Sequence, residues 1–114
     1  MPFLTNQTNQ PLDGANQQAL MEKASALVAA QLGKPENYVM VAIEVGQNML
    51  FAGTNSPLAY LELKSIGLPE SATADLSNHL CTLMAQELDI EKNRTYIEFT
   101  DAPRHMWGWD GKTF

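Results

Sequence analysis

Cysteine is almost missing from this chain. The single one, Cys81, excludes an intrachain disulfide, and its place in the apolar-periodic run Leu76–Leu88 marks it as a small core residue. Histidine is nearly as scarce. His79 and His105 are the only two, they belong to no His-x-x-x-His or Cys-x-x-Cys pattern, and no metal site is expected. His79, between Leu76 and Leu80, reads as a structural residue of a helix. A glycine-rich phosphate loop is also lacking. Basic side chains number 7 against 13 acidic ones, for a net charge of −6. They are scattered and form no stripe, so phosphate repulsion argues against a nucleic-acid partner. Long apolar runs are absent as well. The polar start through Gln10 has neither a basic n-region nor an apolar stretch, which argues against a secretory signal and a membrane span. Residence in the cytoplasm is the default expectation, and nothing in the residues speaks for or against leaderless export.

What is present is enough for one core. The chain has 114 residues, 45% of them hydrophobic and 18% charged, the balance of a globular rather than a disordered chain. Residues 1–114 read as a single domain with two pseudo-repeats, about 2–57 and 58–114. Leu20, Ala24, Leu27, Val28 and Leu32 fall in register on Leu76, Leu80, Leu83, Met84 and Leu88. Each set has the i, i+4, i+7, i+8, i+12 spacing of one helix face. Asn37 falls on Asn93, and Val41 and Ile43 on Ile97 and Phe99.

Each half then reads as strand, helix, strand. The first half gives a strand at Phe3–Thr8, an N-cap at Asp13 and a helix from about Asn16 to Leu32. Gly33 and Pro35 stop that helix, and a β-branched strand follows at Tyr38–Val45. The second half gives a strand near Ala59–Ile66, a break at Gly67-Leu68-Pro69, a helix near Thr73–Leu88 and a strand at Thr95–Thr100. The expected fold class is α+β, an α/β sandwich. Its two tandem βαβ units would form a four-stranded sheet, parallel within each half, with both helices on one face. Between the halves, Asn48–Gly53 is an apolar patch too short for a full strand, of the kind that a partner covers.

The residues that could carry chemistry are few. After Met1 comes Pro2, beside which an initiator methionine is expected to be removed. The mature chain would then begin with a secondary amine. An α-amino group titrates near ~7.7–8.0, so a modest downward push would make it a proton carrier at neutral pH. Lys34, between Gly33 and Pro35, has two readings. It is either a cation favourable at a helix C-terminus or a carboxylate receptor beside the amine of Pro2. Both tryptophans, Trp107 and Trp109, flank Gly108 in the tail. With Phe114 and Tyr96 they suggest an aromatic pocket or an intersubunit contact.

With Pro2, Gly33-Lys34-Pro35, Ser65-Ile66-Gly67, Tyr96-Ile97 and Gly108-Trp109…Thr113-Phe114 in order along it, the whole chain resembles the macrophage migration inhibitory factor family. That family belongs to the tautomerase superfamily, whose members share a catalytic amino-terminal proline. The resemblance implies a homotrimer in which three sheets form a barrel wrapped by six helices, with active sites between subunits. It implies keto–enol tautomerisation of α-keto acids such as phenylpyruvate, and of dopachrome-like compounds, without metal or organic cofactor. Pro2 would be the base that takes and returns a proton, and Lys34 would pair with the substrate carboxylate. The backbone N–H of Ile66 would bond a substrate oxygen. Tyr96 from the adjacent subunit, Trp109 and Phe114 would hold the ring, with Phe3, Tyr38 and Trp107 as neighbours. Three departures from the family pattern stand out. Leu58 and Leu61 replace the Cys-x-x-Cys of the cytokine members, so a thiol oxidoreductase activity is not carried over. Glu98 replaces an asparagine beside the pocket, where it would repel an anionic substrate, and the Ala102–Trp107 loop is bulkier and more basic. The alternative reading is a cytokine-like signalling or binding protein with a vestigial tautomerase pocket. A related superfamily reaction on a three-carbon acid would usually bring further arginines; Arg94 and Arg104 are the only ones, at positions that match no such role.

Overall fold

The computed structural model describes every residue from Met1 to Phe114. Four strands, β1 (Phe3–Thr8), β2 (Met40–Glu44), β3 (Ala59–Ile66) and β4 (Thr95–Ala102), form one sheet in the order β2-β1-β3-β4. Helix α1 (Gly14–Leu32) joins β1 to β2, and α2 (Thr73–Leu88) joins β3 to β4. Pairing is parallel within each half, β1 with β2 and β3 with β4. The two halves meet antiparallel, β1 against β3.

Both helices cover the same face of the sheet. The period-2 alternation of a strand sends Leu4, Leu61 and Leu63 inward. There they join Leu20, Ala24 and Val28 of α1 and Leu76, Leu80, Leu83, Met84 and Leu88 of α2 in one core. Val41, Ile43, Ile97 and Phe99 close it at the two edge strands. Cys81 is buried, as expected of a core residue. Lys23 Nζ bonds Glu87 Oε1 at 2.7 Å across the two helices. No helix is long and apolar enough to cross a membrane.

The opposite face is left open and can be read in rows across β2, β1, β3 and β4. The rows run Met40-Phe3-Lys64-Thr100, Ala42-Thr5-Glu62-Glu98 and Glu44-Gln7-Tyr60-Tyr96.

Several boundaries differ from the sequence expectation for local reasons. Helix α1 begins at Gly14, because the Asp13 carboxylate already accepts from Asn16 N at 2.8 Å. Strand β2 begins at Met40 and not at Tyr38, because Glu36–Tyr38 after Pro35 winds into a 3₁₀ turn. Strand β4 runs on to Ala102, which pairs with Ile66. The tail folds into an unexpected hairpin, β5 (Gly108–Trp109) with β6 (Lys112–Thr113). Asp110 and Gly111 both have positive φ there, 53° and 74°, as a type I′ turn requires, and Asp-Gly is the sequence signal for it. Gly46–Pro57 holds only an isolated bridge, Phe51 to Thr54.

Leu80 is wholly buried. Leu80→Ala is expected to lower the unfolding free energy by about 2–5 kcal/mol, against about 1 kcal/mol for removing the Asp13 cap in Asp13→Ala. Urea titration of both variants checks the order, and a reversal would place Leu80 outside the core.

Candidate active site

A cavity of about 300 Å³ opens at the end of the sheet where the chain begins. Its walls are Met1, Pro2, Phe3, Asn37, Tyr38, Val39, Met40, Trp107, Gly108, Trp109 and Phe114. Four separate segments build it. Pro2 enters β1 as a fully buried residue, and its carbonyl accepts from Met40 N at 3.0 Å, which starts the β1–β2 ladder. The 3₁₀ turn after Pro35 supplies Tyr38. The tail hairpin supplies Trp109, and Phe114 N donates to Trp107 O at 3.3 Å to hold the last residue against the first arm. The rings then pack on one another. Tyr38 meets Trp109 edge-on at 6.0 Å between centroids, and Trp109 stacks on Phe114 at 5.6 Å.

Lys34 is placed by the way α1 ends. Gly33 adopts φ 62° in the left-handed region, Gly33 N donates to Ala30 O and Lys34 N to Ala29 O. This is the Schellman closure that glycine makes without strain. Pro35 then drives its predecessor out of helical geometry. The outcome is that Lys34 Nζ donates to Ile66 O at 2.8 Å, at the end of β3. One of its three ammonium protons is used there, and two remain for other acceptors. The terminal amine, carried by Met1, is held below its ordinary value of 8.0 by burial first and by the charge of Lys34 second. Both causes disfavour the ammonium form.

Of the residues singled out from the sequence, Pro2, Phe3, Tyr38, Trp107, Trp109 and Phe114 thus line one cavity, and Lys34 and Ile66 are joined to each other beside it. Tyr96 and Glu98 lie elsewhere within the chain. Tyr96 is 65% exposed on the open face of β4 and packs on Phe51 at 4.6 Å. Glu98 accepts from the Tyr60 hydroxyl at 2.8 Å. His79 bonds the Asp75 carbonyl through Nδ1 at 2.7 Å.

Sequence reasoning passed over Asn37, Val39 and Met40 as lining residues. Met40 carried a signal, an apolar residue at an outward position of a half-buried strand; Asn37 and Val39, in a turn, carried none. Arg94 was set aside as well. Its guanidinium donates to the carbonyls of Pro57 (3.0 Å), Phe51 (3.2 Å), Ser56 (3.0 Å) and Thr54 (3.3 Å). It also lies 5.2 Å from the Phe51 ring centroid, and so ties down the loop on which Tyr96 rests.

Comparison with known proteins bears on the chain as a whole. The profile of the family described as macrophage migration inhibitory factor (MIF) matches residues 1–114. A macrophage migration inhibitory factor homolog of Brugia malayi is 42% identical over 115 residues, covering 100% of this chain and 99% of the relative. The macrophage migration inhibitory factor of Mus musculus is 36% identical, with coverage of 100% and 99%. Among solved structures, the homologue from Prochlorococcus marinus superposes with a TM-score of 0.93 at 39% identity, covering 98% of each chain. From these matches, which run over the full chain in both sequence and fold, the protein belongs to the macrophage migration inhibitory factor family.

Proposed function

We propose that this protein is a cofactor-independent isomerase, a keto–enol tautomerase acting on a phenylpyruvate-like α-keto acid and on dopachrome-like compounds. Pro2, freed by removal of Met1, is its general base and acid. The observation that carries this reading is a buried Pro2 in an aromatic-walled cavity, with the charge of Lys34 felt at the amine beside it.

Removal of Met1 transfers the free amine to Pro2, a residue with almost no exposed surface. The two influences on the Met1 amine, burial and then Lys34, act on the proline nitrogen with the same sign. A base kept below its usual range carries a larger unprotonated fraction at neutral pH and is readier to accept. In the ketonisation direction it takes the enol O–H proton, the electron pair moves toward the β-carbon, and the prolinium returns the proton to that carbon. In the reverse direction it takes the proton from carbon as charge gathers on the carbonyl oxygen. The spare donors of Lys34 pair with the substrate carboxylate, the N–H of Ile66 bonds a substrate oxygen, and the tail aromatics hold the ring. The same lysine tunes the base and grips the acid.

The functional unit in this reading is a homotrimer, with Tyr96 and Glu98 of one subunit completing the cavity of the next. What supports it is exposed apolar surface remote from the cavity: Leu50 is 70% and Tyr96 65% exposed. The working location is the cytoplasm. A signalling protein that keeps the pocket as a relic is the second reading, and the relatives' names favour it; turnover decides between the two.

Four measurements test the proposal. Intact-mass analysis is expected to find the chain without Met1, since a retained methionine would turn the proline nitrogen into an amide. Pro2→Gly is expected to lower kcat/KM for enol-phenylpyruvate by about 10²–10⁴, the range for a lost general base. In the unaltered protein kcat/KM should fall toward acid with unit slope as the amine protonates, at a pH below 8.0. Lys34→Ala should raise KM and move that acid limb to higher pH, because the ammonium form loses a repelling neighbour. Equal rates in all three proteins would remove the assignment.

A further inference from the structure

The parallel register of β3 and β4 sets Glu62 directly opposite Glu98 on the open face. Like charges so placed repel. Two neighbours offset the repulsion. Lys64 Nζ stands 3.5 Å from Glu62 Oε2. The Tyr60 hydroxyl lies 2.8 Å from Glu98 Oε2 and 3.1 Å from Glu62 Oε1. A phenol has one proton to give, so one donor serves both carboxylates, with the shorter contact to Glu98. Glu98 enters no ion pair, and the Tyr60 hydroxyl is the side-chain donor that holds it. The remaining groups on this face leave that hydroxyl without a rival. On β1, Thr5 and Gln7 are uncharged, and Gln7 Nε2 is committed to Glu44 Oε2 of β2 at 2.8 Å. The one lysine of the face is committed to Glu62.

We propose that Tyr60 is a positioning residue that sets substrate-charge specificity. Its hydroxyl pins the Glu98 carboxylate to its own sheet, so the surface bearing Tyr96 meets an anionic keto acid without a loose, unpartnered carboxylate. The inference rests on the tautomerase reading above, in which this surface completes a neighbour's cavity. Glu98 stands two residues along β4 from Tyr96, on the same face. Untethered, its carboxylate could swing toward a bound carboxylate and oppose it. Tethered, its charge is partly spent on the phenol. The phenol keeps its proton well beyond the ordinary tyrosine value of 10.0, chiefly because of the hydrogen bond to Glu98, then desolvation and the contacts with Glu62. A raised value in the folded protein means that the contact's stabilisation is complete below pH 10 and is lost as pH rises through the folded-state ionisation.

The test compares Tyr60→Phe, Glu98→Gln and the double variant, with oligomeric state checked by sedimentation. Substrates are enol-phenylpyruvate and the neutral methyl ester of the same keto acid. Tyr60→Phe is expected to raise KM for the anion about three- to tenfold, the effect of one freed charge in a partly solvated site. The change in kcat should stay within about twofold, and KM for the ester should not move. The penalty should shrink at about 0.5 M salt, where screening is short-ranged, and vanish in the double variant. Unchanged KM for the anion in Tyr60→Phe, with wild-type turnover intact, overturns this inference and leaves the tautomerase reading standing. A wild type without turnover sinks that reading and this inference with it. A second readout needs no turnover. Ultraviolet titration should show a tyrosine phase displaced above the ordinary value of 10.0, moving down in Glu98→Gln. A wild-type titration without such a displaced phase, or one that Glu98→Gln leaves in place, would rule out the tether.

Discussion

A sheet has two faces, and here the helices cover only one of them. Because α1 and α2 both pack on the same side, every second residue of each strand is spoken for by the core, and every other one is not. Leu4, Leu61 and Leu63 vanish into contact with Leu20, Val28, Leu76 and Leu80, while Phe3, Thr5, Gln7, Tyr60, Glu62 and Lys64 are left in ordered rows outside. Non-directional apolar burial holds the first set together. The second set owes its arrangement to the same strands but its energetics to hydrogen bonds and charge. All the candidate chemistry lies outside the core, at the margins of a scaffold whose rigidity comes from elsewhere.

The termination of α1 connects fold to chemistry. One glycine in the left-handed region and one proline end the helix, turn the chain and start a 3₁₀ turn within six residues. That short passage delivers Lys34 to the Ile66 carbonyl, Tyr38 to the aromatic wall and Met40 to the Pro2 carbonyl. The electrostatics around the chain's first residues are therefore a by-product of helix capping, and a change at Gly33 would be felt in the cavity before it was felt in the core.

The two halves copy each other in architecture and part company where chemistry enters. The position of Gly33 in the first half is taken in the second by Asp89, which adopts the same left-handed geometry at φ 56°. The position of Lys34 is taken by Ile90, which is wholly buried. The position of Pro2 is taken by Leu58, which is likewise buried. The repeat thus builds one scaffold twice and a candidate site once, because only the first copy's capping turn carries a cation, at Lys34.

Local periodicity was enough to read the two helices, the four strands of the sheet, the Asp13 cap and the core placement of Cys81, since each depends on neighbours within a turn or two of chain. The aromatic tail was recognisable as unusual, and the resemblance to a family named the residues worth watching. Its fold back as a hairpin was signalled by Asp110-Gly111 and was passed over. Other features had no local signature at all. The antiparallel seam of β1 with β3, the reach of Lys34 to Ile66, the edge-on contact of Tyr38 with Trp109 and the Tyr60 bridge from Glu98 to Glu62 join segments far apart in the chain. Side-chain alternation is a property of one strand and can be read along it. Which strand lies beside it, and in what register, is decided by the packing of the whole sheet, and only that packing puts these groups within hydrogen-bonding distance.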